Sequence, residues 1–124
     1  MKKTFDDLGA LKRRMTEIVE SHVEAWKSDF YEHDVLGLKK ITSMTAERGH
    51  DYIFFWVVRK HGTFLQNMEC EDAEEAAFKL GLLIQFPKAR LYLIHFRNVN
   101  GGINYLFEGI SHKKLADRIQ KAIV

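Results

Sequence analysis

The chain reads as an α+β domain. An N-terminal helix leads into two β-hairpin–helix units that form a four-stranded, mainly antiparallel sheet. Two observations predict this. An internal echo runs at an offset of 39 residues: Gly62 answers to Gly101, Phe64 to Ile103, Met68 to Phe107, Glu69 to Glu108 and Asp72 to Ser111. Each copy also has the same order of signals, with a β-rich stretch, a turn, a second β-rich stretch and a capped amphipathic segment.

Residues 5–28 carry a helical stripe. Phe5, Leu8, Leu11, Met15, Ile18, His22 and Ala25 recur at spacings of three and four, and Val19, Val23 and Trp26 widen it. Thr4 is the expected N-cap. Residues 29–50 mix aromatic and charged side chains. Val35–Ile41 fits a short helix interrupted by Gly37 or a short strand, and Ser43–Gly49 reads as a loop. A connection this long implies a short element or a functional loop.

The first unit spans 51–86. Tyr52–Arg59 is a strand by composition, Lys60–Thr63 is a tight turn, and Phe64–Cys70 returns. Asp72 with Glu75 forms a capping box ahead of a helix with the stripe Ala73, Ala76, Ala77, Leu80 and Leu83. Pro87 closes the unit. The second unit spans 90–124. Leu91–Asn98 and Ile103–Ile110 flank Asn100-Gly101, a strong hairpin signal. Ser111 caps a last helix with the stripe Leu115, Ile119 and Ala122. The chain as a whole, 1–124, is expected to be one domain, with 1–50 as helix and linker.

Turns at His61-Gly62 and Asn100-Gly101 pair Arg59 with Phe64 and Asn98 with Ile103. Alternation then gathers Ile53, Phe55, Val57, Phe64, Met68, Tyr92, Ile94, Phe96, Ile103, Tyr105 and Phe107 on one face, the expected core under the two repeat helices. The other face carries Phe54, Trp56, Val58, Leu65, Asn67, Leu91, Leu93, His95, Arg97, Asn104 and Leu106, together with Glu69 and Glu108. It is too apolar to face water. Its cover is either the N-terminal helix or a partner, a second copy of the chain included. Phe54, Trp56, Leu93, His95 and Arg97 are its candidate partner-binding residues, since aromatic side chains with an arginine are common interface content.

Composition excludes little. The 124 residues are 46% hydrophobic and 29% charged, with net charge +2, which implies no polyanion partner by itself. The single cysteine, Cys70, precludes an internal disulfide and fits a reducing cytosol. No signal peptide or membrane span is evident, so a cytoplasmic location is expected. Basic residues cluster as Lys12-Arg13-Arg14, Lys39-Lys40 and the last helix. Arg59, Lys60, Lys114, Arg118 and Lys121 are candidates for a nucleic-acid surface. The two repeat helices are oppositely charged. Residues 69–79 hold five acids against one base, and 111–124 hold four bases against one acid. That polarity suits complementary docking.

His95 with Glu69 or Glu108 is the one acid–base candidate, and no nucleophile stands beside it in the sequence. His33-Asp34 and His50-Asp51 resemble no complete metal set, because adjacent strand residues point to opposite faces. No metal, cofactor or catalytic residue is assigned. The expected function is that of a small non-catalytic protein-binding domain: an adaptor, inhibitor or immunity-type factor, of the size found among phage or mobile-element accessory proteins. A nucleic-acid module built on the last helix, and a small enzyme or ligand-binding domain built on His95, are the alternatives.

Overall fold

The computed structural model describes residues 2–24 and 30–123. Their order is β1 (Lys2–Phe5), α1 (Leu8–His22), a π-helical turn (Phe30–Val35) running into α2 (Leu36–Arg48), β2 (Tyr52–Arg59), β3 (Gly62–Asn67), α3 (Ala73–Gln85), β4 (Arg90–Val99), β5 (Gly102–Gly109) and α4 (His112–Lys121). The strands form one antiparallel sheet in the order β1-β5-β4-β2-β3. The α+β class holds. The sheet has five strands rather than four, and a strand precedes the first helix.

The extra strand changes how the N-terminus is read. Thr4 and Phe5 pair with Leu106 and Tyr105 of β5, so they are extended. Phe5 is buried, with its ring edge-on to Phe107 at 6.4 Å between centroids. Asp7 is the N-cap of α1 in place of Thr4, its Oδ1 accepting from the Ala10 N–H at 2.8 Å. Apolar spacing alone does not separate a strand residue from the first turn of a helix that packs on the same core. The expected helical positions Ala25 and Trp26 lie outside the described residues.

Residues 36–48 form a full helix through Gly37 and through the expected loop. Gly49, at φ 67°, closes it in the left-handed conformation that glycine tolerates. The caps Asp72 and Ser111 fall where expected, accepting from the N–H groups of Glu75 and Lys114. Along α3, Ala76 and Leu83 are buried, whereas Ala73 and Ala77 of the expected stripe are exposed.

The second hairpin keeps the expected register, Asn98 opposite Ile103. Asn100 and Gly101 take φ 42° and 85°, as a tight primed turn requires. The first hairpin turns two residues earlier in pairing, at Lys60-His61, with Arg59 opposite Gly62. The Glu24 N–H donates to the Lys60 carbonyl at 2.8 Å, anchoring that turn to the end of α1. An even shift keeps every side chain on its face.

The joint between hairpins does not match the expectation. Phe55 lies opposite Leu93 and shares its face, whereas Ile94, expected on the face of Phe55, lies opposite Phe54 on the other. Facing residues of β2 and β4 differ by even numbers throughout, as in Tyr52 with Phe96, Phe55 with Leu93 and Val58 with Arg90, while the sequence echo runs at the odd offset 39. An odd difference swaps faces. Ile53, Phe55, Val57 and Phe64 side with Leu91 and Leu93 under α3 and α4, where Leu83, Leu115 and Ile119 meet them. Trp56, Val58, Ile94, Phe96, Tyr105 and Phe107 lie under α1 and α2, where Leu11, Met15, Val19, Leu38 and Ile41 meet them. The single expected core is thus two, one on each side of a sheet covered twice. Both faces are filled by the chain itself, which is why both read as apolar.

Four polar residues among those described are buried in these layers, Asp34, Thr45, Thr63 and Lys79. Lys79, 3% exposed, donates from Nζ to the Asn67 carbonyl at 2.7 Å and to the Glu69 carbonyl, and pairs with Glu75 at 3.2 Å. It satisfies backbone where β3 ends. Just beyond, the Cys70 N–H donates to the Ala122 carbonyl at 3.1 Å, so the chain past α4 runs parallel beside Cys70. On the other side, Asp34 accepts from Trp56 and Thr63.

Candidate functional site: a cationic groove at Arg59

The five residues expected to share the second sheet face are divided between the layers. Phe54 is half-buried and Trp56 fully buried under α1 and α2. Leu93 is buried under the other helix pair. His95 and Arg97 sit on Leu93's side of the sheet, half-buried, beyond the buried cluster there. Arg97 Nε donates to Asn104 Oδ1 at 2.7 Å, across the hairpin.

His95 takes neither expected glutamate as its partner. Its Nε2 lies 3.0 Å from Asp51 Oδ2, while Asp51 Oδ1 accepts from the Asn98 N–H at 2.9 Å. Asp51 therefore ties the entry of β2 to β4. The Asn98 N–H first, and His95 after it, hold the Asp51 carboxyl below its usual range. Glu108 lies near His95 in a small depression of about 210 Å³, but its carboxylate faces Arg118 at 3.9 Å and Lys2 at 4.0 Å. Glu69 lines a neighbouring depression with Asp51, Arg118 and Lys121. These charges offset one another. Among the described residues, no group of three or more His, Cys, Asp or Glu could hold a metal ion.

The basic candidates also separate. Arg118 and Lys121 lie beside Ile53, at the start of β2, and Arg59 ends that strand. Eight strand residues span about 25 Å, so the two groups occupy opposite ends of the sheet. Lys114, in the first turn of α4, lies with Glu108, Asp117 and Arg118 beside the end of β5.

At the Arg59 end lies a groove of about 630 Å³, lined by His22, Arg59, Lys60, His61, Gln85, Phe86, Pro87, Lys88 and Ala89. Its centre is an arginine on an aromatic bed. The Arg59 guanidinium carbon stands 5.3 Å from the Phe64 ring centroid and 4.6 Å from that of Phe86. Stacking on rings leaves the in-plane N–H edges of a guanidinium as its means of contact, and those edges match a carboxylate. Among the described residues no carboxylate pairs with Arg59, and its Nε is buried without an acceptor. The walls are apolar in Phe86, Pro87 and Ala89. Burial, and then the nearby Arg90 charge, lower the pKa of His22. Among the described residues, the carboxylate paired at the rim is Glu24, 3.2 Å from Lys60 and 3.7 Å from His61.

No family model, curated protein or solved structure matches the chain. The groove is therefore read from its own chemistry. It is of the size that ligand sites occupy, with apolar walls and a few fixed polar groups. The sequence placed Arg59 and Lys60 among basic candidates and Phe64 across the hairpin from Arg59. It gave no sign of Phe86, which arrives from the end of α3, or of Pro87 and Lys88 beside it. No helix among the described residues is long and apolar enough to cross a membrane.

Proposed function

We propose that this chain is a non-catalytic protein-binding domain that holds an acidic segment of a partner in the Arg59 groove. The observation that carries the reading is Arg59 itself: stacked on Phe64 and Phe86, lined up with Lys60 and Lys88, and paired with no carboxylate among the described residues. A glutamate or aspartate of the partner supplies the acceptor. An adjacent apolar or aromatic side chain lies on Phe86 and Pro87. Such an arginine, preorganised by stacking, is the kind of anchor that dominates interface energetics. A nucleic-acid strand fits less well, because it needs a continuous basic track for successive phosphates. The basic clusters here stand at opposite ends of the sheet, with Glu24 on the rim of one.

The test is fluorescence anisotropy with a labelled glutamate-rich peptide carrying one phenylalanine. Its controls are the same peptide with lysine for glutamate and a single-stranded oligonucleotide. Saturable binding of the acidic peptide is expected. Arg59→Gln or Lys88→Glu, checked for folding by far-ultraviolet circular dichroism, should weaken it by roughly tenfold or more, and His95→Ala should leave it unchanged. Tighter, steeply salt-dependent binding of the oligonucleotide, or acidic-peptide binding indifferent to Arg59→Gln, overturns the reading.

A further inference from the structure

The helix α3 is apolar on both sides. Its inward side buries Ala76 and Leu83 in the core. Its outward side carries Ala77, Phe78, Gly81 and Ile84, all exposed, with Phe78 at 62% and Ile84 at 80%. These four recur at helical spacing and form a second stripe opposite the first. A helix that is apolar all round is ordinarily buried all round.

Gly81 gives the stripe its centre. Glycine is among the weakest residues for a helix interior, and a Cβ at this position would meet no atom within 4 Å. Among the described residues, nothing calls for a glycine there. A second backbone approaching closely does. Phe78 and Ile84 flank that gap on either side.

Charge gives the stripe a direction. Glu71, Asp72 and Glu74 are exposed at the N-terminal end of α3. At its C-terminal end the exposed Lys113 of α4 stands beside Ile84 and Pro87, lining an apolar groove of about 560 Å³ between the two helices. The surface thus runs from acid through apolar to base.

We infer that this face is where two copies of the chain associate, their α3 helices antiparallel and crossing at Gly81. A two-fold axis through that crossing sets Glu74 of each copy toward Lys113 of the other, brings the two open glycines together and lays Phe78 beside the other copy's Ile84. Such an interface is self-complementary, as two-fold association requires. It rests on α3 and on Lys113 of α4, and does not depend on the reading of the Arg59 groove.

Sedimentation velocity over a range of concentrations tests it. The wild-type chain should pass from monomer to dimer as concentration rises. Ile84→Glu and Gly81→Arg, both on the surface and checked for an unchanged circular dichroism spectrum, should weaken association by roughly tenfold or more. Glu74→Lys and Lys113→Glu should each weaken it alone. Mixing those two variants should restore a dimer, because every facing pair is then opposite in sign. A wild type that stays monomeric, a dimer that survives Ile84→Glu and Gly81→Arg, or a mixture that fails to recover association overturns the proposal.

Discussion

The indole Nε1–H of Trp56 donates to the Asp34 carboxylate at 2.7 Å, with both residues fully buried. Trp56 lies on a central strand and Asp34 in the π-helical turn, so the bond fixes that turn to the sheet. The Thr63 hydroxyl donates to the same oxygen and adds β3 to the junction.

Replacing Asp34 by Ala strands a buried indole N–H and a buried hydroxyl. Each such group costs about 1–3 kcal/mol. Urea denaturation should show a loss of at least that size for Asp34→Ala. The loss should shrink in a Trp56→Phe background, where one orphaned donor is already gone. Equal losses in both backgrounds would mean the indole bond carries no stability.

Phe96 is fully buried between Phe54 and Tyr105, at 5.9 and 5.5 Å between ring centroids. Phe96→Ala should cost about 3–5 kcal/mol in chemical denaturation. A cost near that of a surface substitution would contradict the two-core arrangement.

Much of this arrangement is legible in the sequence, and its failures have physical causes. Asn100-Gly101 fixes a hairpin because few other dipeptides accept positive φ twice, and Asp72 and Ser111 announce helices by capping chemistry. These are local signals. The pairing of β2 with β4 is not local. A repeat aligned by residue type runs at the odd offset 39, whereas facing residues such as Phe55 and Leu93 differ by an even number, and in a sheet an odd offset exchanges the faces. That alignment sets Trp56 on the same face as Leu93, and it lies in the opposite layer. The Arg59 groove was half visible, in Arg59, Lys60 and Phe64. Phe86 enters it from a helix end, and sequence spacing says nothing about where a helix end lands.

Lys79 offers a test of buried charge. Lys79→Met keeps the unbranched apolar stem, one atom shorter, but leaves the Asn67 and Glu69 carbonyls without their donor. A loss of about 1–3 kcal/mol is expected. Hydrogen exchange should rise first at the end of β3 and around Cys70. A more stable variant would show that the apolar environment outweighs those two bonds.

Asp51 predicts an acid-side dependence. Its folded-state pKa lies below the ordinary value because the Asn98 N–H and His95 favour the carboxylate. Stability from this group is therefore complete above about pH 4, the unfolded value. It is lost as pH falls through the lower folded one. Asp51→Asn should flatten that part of the stability profile. Carboxyl carbon NMR should place the Asp51 midpoint below that of an unstructured aspartate; a midpoint at or above it would refute the assignment.

The pairing of β1 with β5 has a consequence for how the chain is made. Lys2 lies opposite Glu108, so β1 pairs with a strand far downstream in the sequence and cannot dock until β5 has been synthesised. Until then β5 has one open edge, and its Tyr105-Leu106-Phe107 run offers ready hydrogen-bonding groups to any neighbouring nascent chain. Docking of β1 closes that edge and replaces it with a strand only four residues long that carries Lys2 and Lys3, the short, charged kind of border that discourages further strand addition. The N-terminal residues thus act as a late-arriving guard, and their removal should appear first as lost yield of soluble protein during synthesis.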